Sequence, residues 1–327
     1  MSILDDLLTI NNKSKNKSSQ KLSTQEAHQL WNIYNTYNII IDNLNIFINN
    51  VHDKDLKYQL NRYRQHFQQE NKTIAKKMKQ YKIKSPKPAA PEIKTQKQLE
   101  IMQDTDMAQT LYLFLKSNIS VHIKTIKDSL FSDDLREFFM AKLKRAVNLL
   151  DDYIEYLKAK NWIESPPLYS GVTNEEISAN EVYHIWEHLN FRNININQNK
   201  IYLSFIQDND FKILLKEGID VLTKQANDLK QRLIEFGAPL PIEYPESIPV
   251  SEDKEVIGDE YIYNMILNGM QMAGFLHGSS IQEMIVNEEI RHHFKKLLFT
   301  EMNLIDDLIK YGKLKGWLSN VPKLNKT

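Results

Sequence analysis

The chain has 327 residues, 42 basic and 42 acidic side chains, no cysteine, 9 glycines and 10 prolines. Without cysteine there is no disulfide framework, no thiolate metal site and no thiol nucleophile. Balanced charge argues against a duplex-DNA binder, and scarce glycine argues against phosphate-cradling loops; no G-x-G-x-x-G, Walker or G-x-S-x-G run is present.

The length suggests about two domains. No stretch approaches the ~20 apolar residues that span a bilayer, so a soluble chain without a membrane partner is expected. Met1 to Leu8 places two acids before its apolar residues and does not read as a secretory signal, and Asn11 to Lys21, rich in Asn, Lys and Ser, reads as a flexible tail.

Sliding the chain against itself by 155 residues aligns 22–167 with 177–322 without a gap, with 31 identities in 146 positions. Ser23 and Glu26 fall on Ser178 and Glu181, Trp31 on Trp186, Asp53 on Asp208, His122 on His277, and Arg136 with Phe139 on Arg291 with Phe294. Tyr156, Lys158, Lys160 and Trp162 fall on Tyr311, Lys313, Lys315 and Trp317. This is a tandem duplication. It predicts a tail over 1–21, a first bundle over 22–167, a linker over 168–176, a second bundle over 177–322 and a tail over 323–327.

Each copy reads as four helices. Ser23-x-x-Glu26 and Ser178-x-x-Glu181 are capping boxes that open the first helices. Ala27, Leu30, Trp31, Tyr34, Ile41 and Ile48 then recur at helical spacing, flanked by Ile33, Tyr37, Ile40, Leu44 and Phe47, so a broad buried face is expected. Asp53 and Asp208 cap second helices running to about Tyr81 and Phe236. Lys82 to Gln103 and Gly237 to Ile257 are Pro-rich and lack helical pattern, which suits an extended crossover along a bundle. Third helices are expected over Asp104 to Leu130 and Asp259 to Ile285; fourth helices start at Ser132 and Asn287 and close near Lys160 and Lys315. The fold class is therefore all-α: two tandem ferritin-like four-helix bundles, each with one long Pro-rich crossover between its second and third helices.

The opening S-x-x-E…W helix, the crossover Gly237-Ala238-Pro239-Leu240-Pro241, the central His of the third helix and the closing K-x-K-x-W resemble a family. It is an uncharacterised domain-of-unknown-function family, number 3231, of spore-forming Gram-positive bacteria, often duplicated within one chain. The resemblance implies a ferritin-like, spore-coat-like bundle, and it supplies no catalytic residues.

Ferritin-like bundles with two metals use Glu-x-x-His, which brings a carboxylate and an imidazole to one helix face. Glu181 to His184 and Glu289 to His292 are such tetrads, and parallel first and fourth helices start them at the same end of the bundle. Those four residues are the metal candidates, for iron or manganese. Against them, Glu181 already serves a capping box, both tetrads sit in first turns, and the first copy has Gln29 and Glu137 where the second has His184 and His292. His122 and His277, on apolar stretches, are expected to anchor a mid-bundle polar network reached by Asn38 and Asn193.

Lys72, Lys76, Lys77, Lys79, Lys82, Lys84 and Lys87 form a basic run in the first copy alone, so it reads as a solvated face rather than an RNA site. With no assembled nucleophile and base, the expectation is a non-enzymatic structural or interaction protein without a cofactor, cytoplasmic or spore-associated. A ferritin-like metal protein or oxidase is the alternative. The expected partners are proteins, or the two bundles self-associating within one chain.

Overall fold

The computed structural model describes residues 22–89, 103–163, 168–171, 176–241 and 258–318. Among them are eight helices: α1 Thr24–Asn50, α2 Lys54–Gln80, α3 Asp104–Asp128, α4 Asp133–Ala159, α5 Ala179–Phe205, α6 Asn209–Glu235, α7 Asp259–Glu283 and α8 Glu288–Lys315. α1 to α4 form one unit and α5 to α8 the other. The expected tails and most of both crossovers, 90–102 and 242–257, lie outside the described residues. Of the expected linker, 168–171 belongs to the second unit, where the Tyr169 amide donates to the Ile177 carbonyl at 2.8 Å just ahead of α5.

The helix starts follow their caps. Ser23 and Ser178 form full capping boxes with Glu26 and Glu181, and the side chains of Asp53, Ser132, Asp208 and Asn287 each accept an orphan amide of the turn they open. α3 and α7 stop at Asp128 and Glu283, earlier than the spacing predicts. There Ser129 turns its hydroxyl onto the Thr125 carbonyl, and the buried Arg136 guanidinium takes the Ser129 carbonyl at 2.9 Å. Arg291 reaches the Met284 carbonyl in the same way, at 3.4 Å, which accounts for the repeated Arg. α2 and α6 end in left-handed residues, Lys82 at φ 57° and Gly237 at φ 63°. The amides of Ile83 and Ala238 then close back on Met78 and Leu233.

Bonds between helix ends set the topology. In the first unit the Asp104 carboxylate accepts the His52 and Asp53 amides at 3.0 and 2.7 Å, placing the start of α3 beside the start of α2. Gln29 donates to Asp128 at 2.6 Å, so the end of α3 lies beside the start of α1. The Lys160 ammonium meets Asp53 and Asp55 at 2.9 and 2.8 Å, bringing the end of α4 to the start of α2. Thus α2 and α3 run one way and α1 and α4 the other. Gln80 and Asp104 therefore lie at opposite ends, about 40 Å apart at 1.5 Å per residue.

The second unit repeats these bonds: Asp259 on the Gln207 and Asp208 amides at 3.0 and 2.8 Å, and Lys315 on Asp208 and Asp210 at 2.6 and 3.4 Å.

Asn38 fastens the described part of the first crossover. Its amide nitrogen donates to the Lys87 carbonyl at 3.0 Å, and its oxygen accepts the Ala89 amide at 3.1 Å and the Asn71 side chain at 2.7 Å. The expected broad face of α1 forms: Leu30, Tyr34 and Ile41 of one stripe and Ile33, Tyr37, Ile40, Leu44 and Phe47 of the other are all buried, while Trp31, at the edge of the arc, is 40% exposed.

Candidate functional site

A buried carboxylate ties the starts of the first and fourth helices in each unit. Oε2 of Glu26 closes the capping box on the Ser23 amide at 2.8 Å, while Oε1 accepts the Phe131 and Ser132 amides at 3.1 and 2.8 Å. Glu181 does the same with the amides of Ser178, Val286 and Asn287 at 2.8, 2.8 and 3.0 Å. Both glutamates are fully buried, and charge-assisted bonds to backbone amides are among the stronger kinds. Glu181, a metal candidate by sequence, is thus committed to three amides.

The other candidates are held apart from it. His184 Nε2 meets Glu283 at 3.0 Å and its Nδ1 faces the Ser280 hydroxyl at 3.2 Å. This contact replaces the Gln29 and Asp128 bond of the first copy. Glu289 is exposed and paired with Arg232, and His292 is exposed with Glu288 3.9 Å away. The fold does not bring Glu181, His184, Glu289 and His292 to one point, because i and i+3 in these first turns face different neighbours. Among the described residues no three His, Asp or Glu side chains are grouped to hold a metal ion.

The middle of each unit does hold a polar cluster around its histidine. In the first, the Tyr37 hydroxyl donates to Asn118 Oδ1 at 3.0 Å, so the His122 Nε2 proton is donated to the Tyr37 oxygen at 2.9 Å. Burial pushes the His122 imidazole down to about 3, so it stays neutral. One turn away, Lys142 bonds Glu70 and the Thr73 hydroxyl, and Arg145 reaches Glu70 at 3.0 Å. Burial alone would raise the Glu70 carboxyl, but Lys142, His66 and Arg145 hold it below the usual range. Asn38 takes no part in the His122 set, since it faces the crossover.

In the second unit Arg192 of α5 stands where the first has Tyr37. Its Nη2 donates to His277 Nε2 at 2.8 Å and reaches Glu301 of α8 at 3.4 Å. The partner of His277 is therefore Arg192, one residue before Asn193, which is half-buried. Because Nε2 accepts, the proton of neutral His277 sits on Nδ1. His188 stacks on His277 with ring centroids 4.9 Å apart and donates its own Nδ1 proton to the His184 carbonyl at 2.7 Å. Burial pushes both imidazoles well below the ordinary histidine value, His188 further lowered by His277 and His277 by Arg192. Burial likewise raises the Glu301 carboxyl, with Arg192 opposing, and lowers Arg192.

Beside this cluster lies a cavity of about 40 Å³. Its buried floor includes Arg192, Asn199, Tyr202 and Glu301, and its half-buried rim includes Asn195 and Met270. Sequence reasoning passed over His188, Arg192 and Glu301. The available signal was divergence at core spacing: Ile33, Tyr37 and Ala146 in the first copy became His188, Arg192 and Glu301 in the second.

The family model described as "Protein of unknown function (DUF3231)" matches the chain twice, over residues 11–172 and 170–327. The chain belongs to this family. The two matches coincide with the two copies of the repeat. A solved chain from Bacillus halodurans C-125, described as a candidate spore coat protein, is 22% identical over 49% of this chain and 97% of its own length, with a TM-score of 0.43. No curated protein matches.

Proposed function

We propose that this member of the family is a non-enzymatic helical-bundle protein that holds a shape and binds protein partners. The observation that carries the reading is where the buried charge goes. Glu26, Glu181 and Arg291 are spent on backbone groups at helix ends, Arg136 on the Ser129 carbonyl and Asp133, and Glu70 and Lys142 on each other. Groups so engaged are poor general acids or bases, which need a free proton path to a substrate. Large apolar side chains exposed on the first and third helices of each copy support binding to proteins: Trp31, Ile39 and Leu113, then Ile194, Met272 and Phe275. A spore-associated location is the finer form of this proposal.

Metal analysis of protein purified without chelator tests it against the metal-protein alternative. Substoichiometric iron and manganese are expected. Stoichiometric metal, lost on His184→Ala, would overturn the reading in favour of a site built on that histidine.

A further inference from the structure

Beyond a bracing role, the second copy carries a built cavity. At its lining the first copy has Ile40, Leu44, Phe47 and Phe114, and the second has Asn195, Asn199, Tyr202 and Gly269. Four large apolar positions have become three polar ones and a glycine. Such exchanges cost core packing, and here they fall together around one space. α5 and α7 approach closely there: a Cβ on Gly269 would stand 3.6 Å from Asn195 Oδ1.

At and beside this place two buried donors lack an acceptor. Arg192 lines the cavity, is buried, and its Nε has no protein partner; behind it, outside the lining, the Nδ1 of His277, the proton-bearing nitrogen, is likewise unpartnered. The Tyr202 hydroxyl accepts from Gln198 at 2.8 Å, which leaves its own proton to donate. Buried donors without acceptors are costly, so a site with this surplus favours a ligand that brings acceptors. About 40 Å³ exceeds the roughly 10–15 Å³ that one water needs and falls far short of the roughly 150 Å³ that admits benzene. Met265, Met270 and Leu222 supply an apolar, adaptable side.

We propose that this cavity binds a small monocarboxylate, its carboxylate met by Arg192 and Tyr202 at the floor and its short alkyl chain lying against Met265 and Met270 toward the rim. The charged and titratable groups facing Glu301 are Arg192 from α5 and His277 from α7, with His188 stacked behind; α6 brings Leu222 to the cavity. A second carboxylate beside Arg192 is accommodated when Glu301 takes up a proton, a change that burial already favours. Binding then draws in one proton and strengthens as pH falls, by up to about tenfold per unit.

The test is a titration of the intact, isotope-labelled chain with sodium propionate at pH 5.5 and 7.5, following the Arg192 Nε–H resonance. Propionamide is the neutral control and sodium chloride the ionic one. The expected result is a saturable shift in the millimolar range, the reach of a ligand with few atoms, tighter at pH 5.5 and absent with either control. Asn199→Leu and Gly269→Phe each install the residue that the first copy carries, and each is expected to abolish the shift. No saturable shift at either pH, an equal midpoint with propionamide, or an unchanged midpoint in a folded variant would overturn the proposal. If both variants fail to fold, the wild-type comparison of propionate with propionamide decides. Metal content, which tests the reading above, is unaffected by any of these outcomes.

Discussion

At the scale of single residues, the buried histidines make stability depend on pH in a defined direction. His122 is neutral in the folded protein down to about pH 3, whereas in the unfolded chain it takes a proton near the ordinary histidine value of 6.5. Between those values the unfolded state binds more protons, so stability falls as pH falls through this window. Each such histidine contributes a slope of ~1.4 kcal/mol per pH unit. His122→Gln is expected to remove one proton's worth of slope between pH 6 and 4, read from urea unfolding at several pH values. An unchanged slope would mean that His122 titrates normally in the folded state. His188 and His277 act in the same direction, so the slope of wild type exceeds one proton.

Between elements, the two copies make one interhelical bond with donor and acceptor exchanged. In the first unit the Tyr153 hydroxyl of α4 donates to the Ala108 carbonyl of α3 at 3.1 Å; in the second, Tyr263 of α7 donates to the Leu308 carbonyl of α8 at 3.1 Å. Tyr263 and Ala108 are equivalent positions, as are Leu308 and Tyr153. The exchange forces a third change. Gly312, at the place of Leu157, leaves room for the ring, and a Cβ there would lie 2.0 Å from the Tyr263 hydroxyl. Gly312→Ala is therefore expected to destabilise by about 1–3 kcal/mol through overpacking. Adding Tyr263→Ala, the residue of the first copy, should relieve most of that strain, leaving the loss of the ring itself. Additive losses in the double-mutant cycle would show that the two residues do not share the space.

For the whole molecule, the frame was legible in the sequence and the site was not. Caps are local: Ser23, Asp53, Ser132 and their counterparts mark helix starts whatever packs around them, and the repeat confirmed each reading twice. The edge of the buried face of α1 was not local. Trp31 and Tyr37 both lie within the broad apolar arc, and only packing decides that Tyr37 goes inward and Trp31 out. The clamps were half visible, since the capping box shows one oxygen of Glu26 and nothing in the sequence pairs the other with Phe131 and Ser132. Lys160 and Lys315 mark the ends of the fourth helices in the sequence, and in the fold they also span to the acids that open α2 and α6. The cluster around Arg192 was hidden because its members lie far apart in sequence, on α5, α7 and α8.

The central claim is that both copies share one frame, closed by a buried glutamate that holds loop amides of the fourth helix start. Amide hydrogen exchange at Phe131, Ser132, Val286 and Asn287 in the intact chain tests it most directly, because these amides precede their helices and have no helical partner of their own. All four are expected to be protected, with Glu26→Gln releasing the first pair alone and Glu181→Gln the second pair alone. Exchange at open-loop rates in the wild-type chain, at either pair, would contradict it.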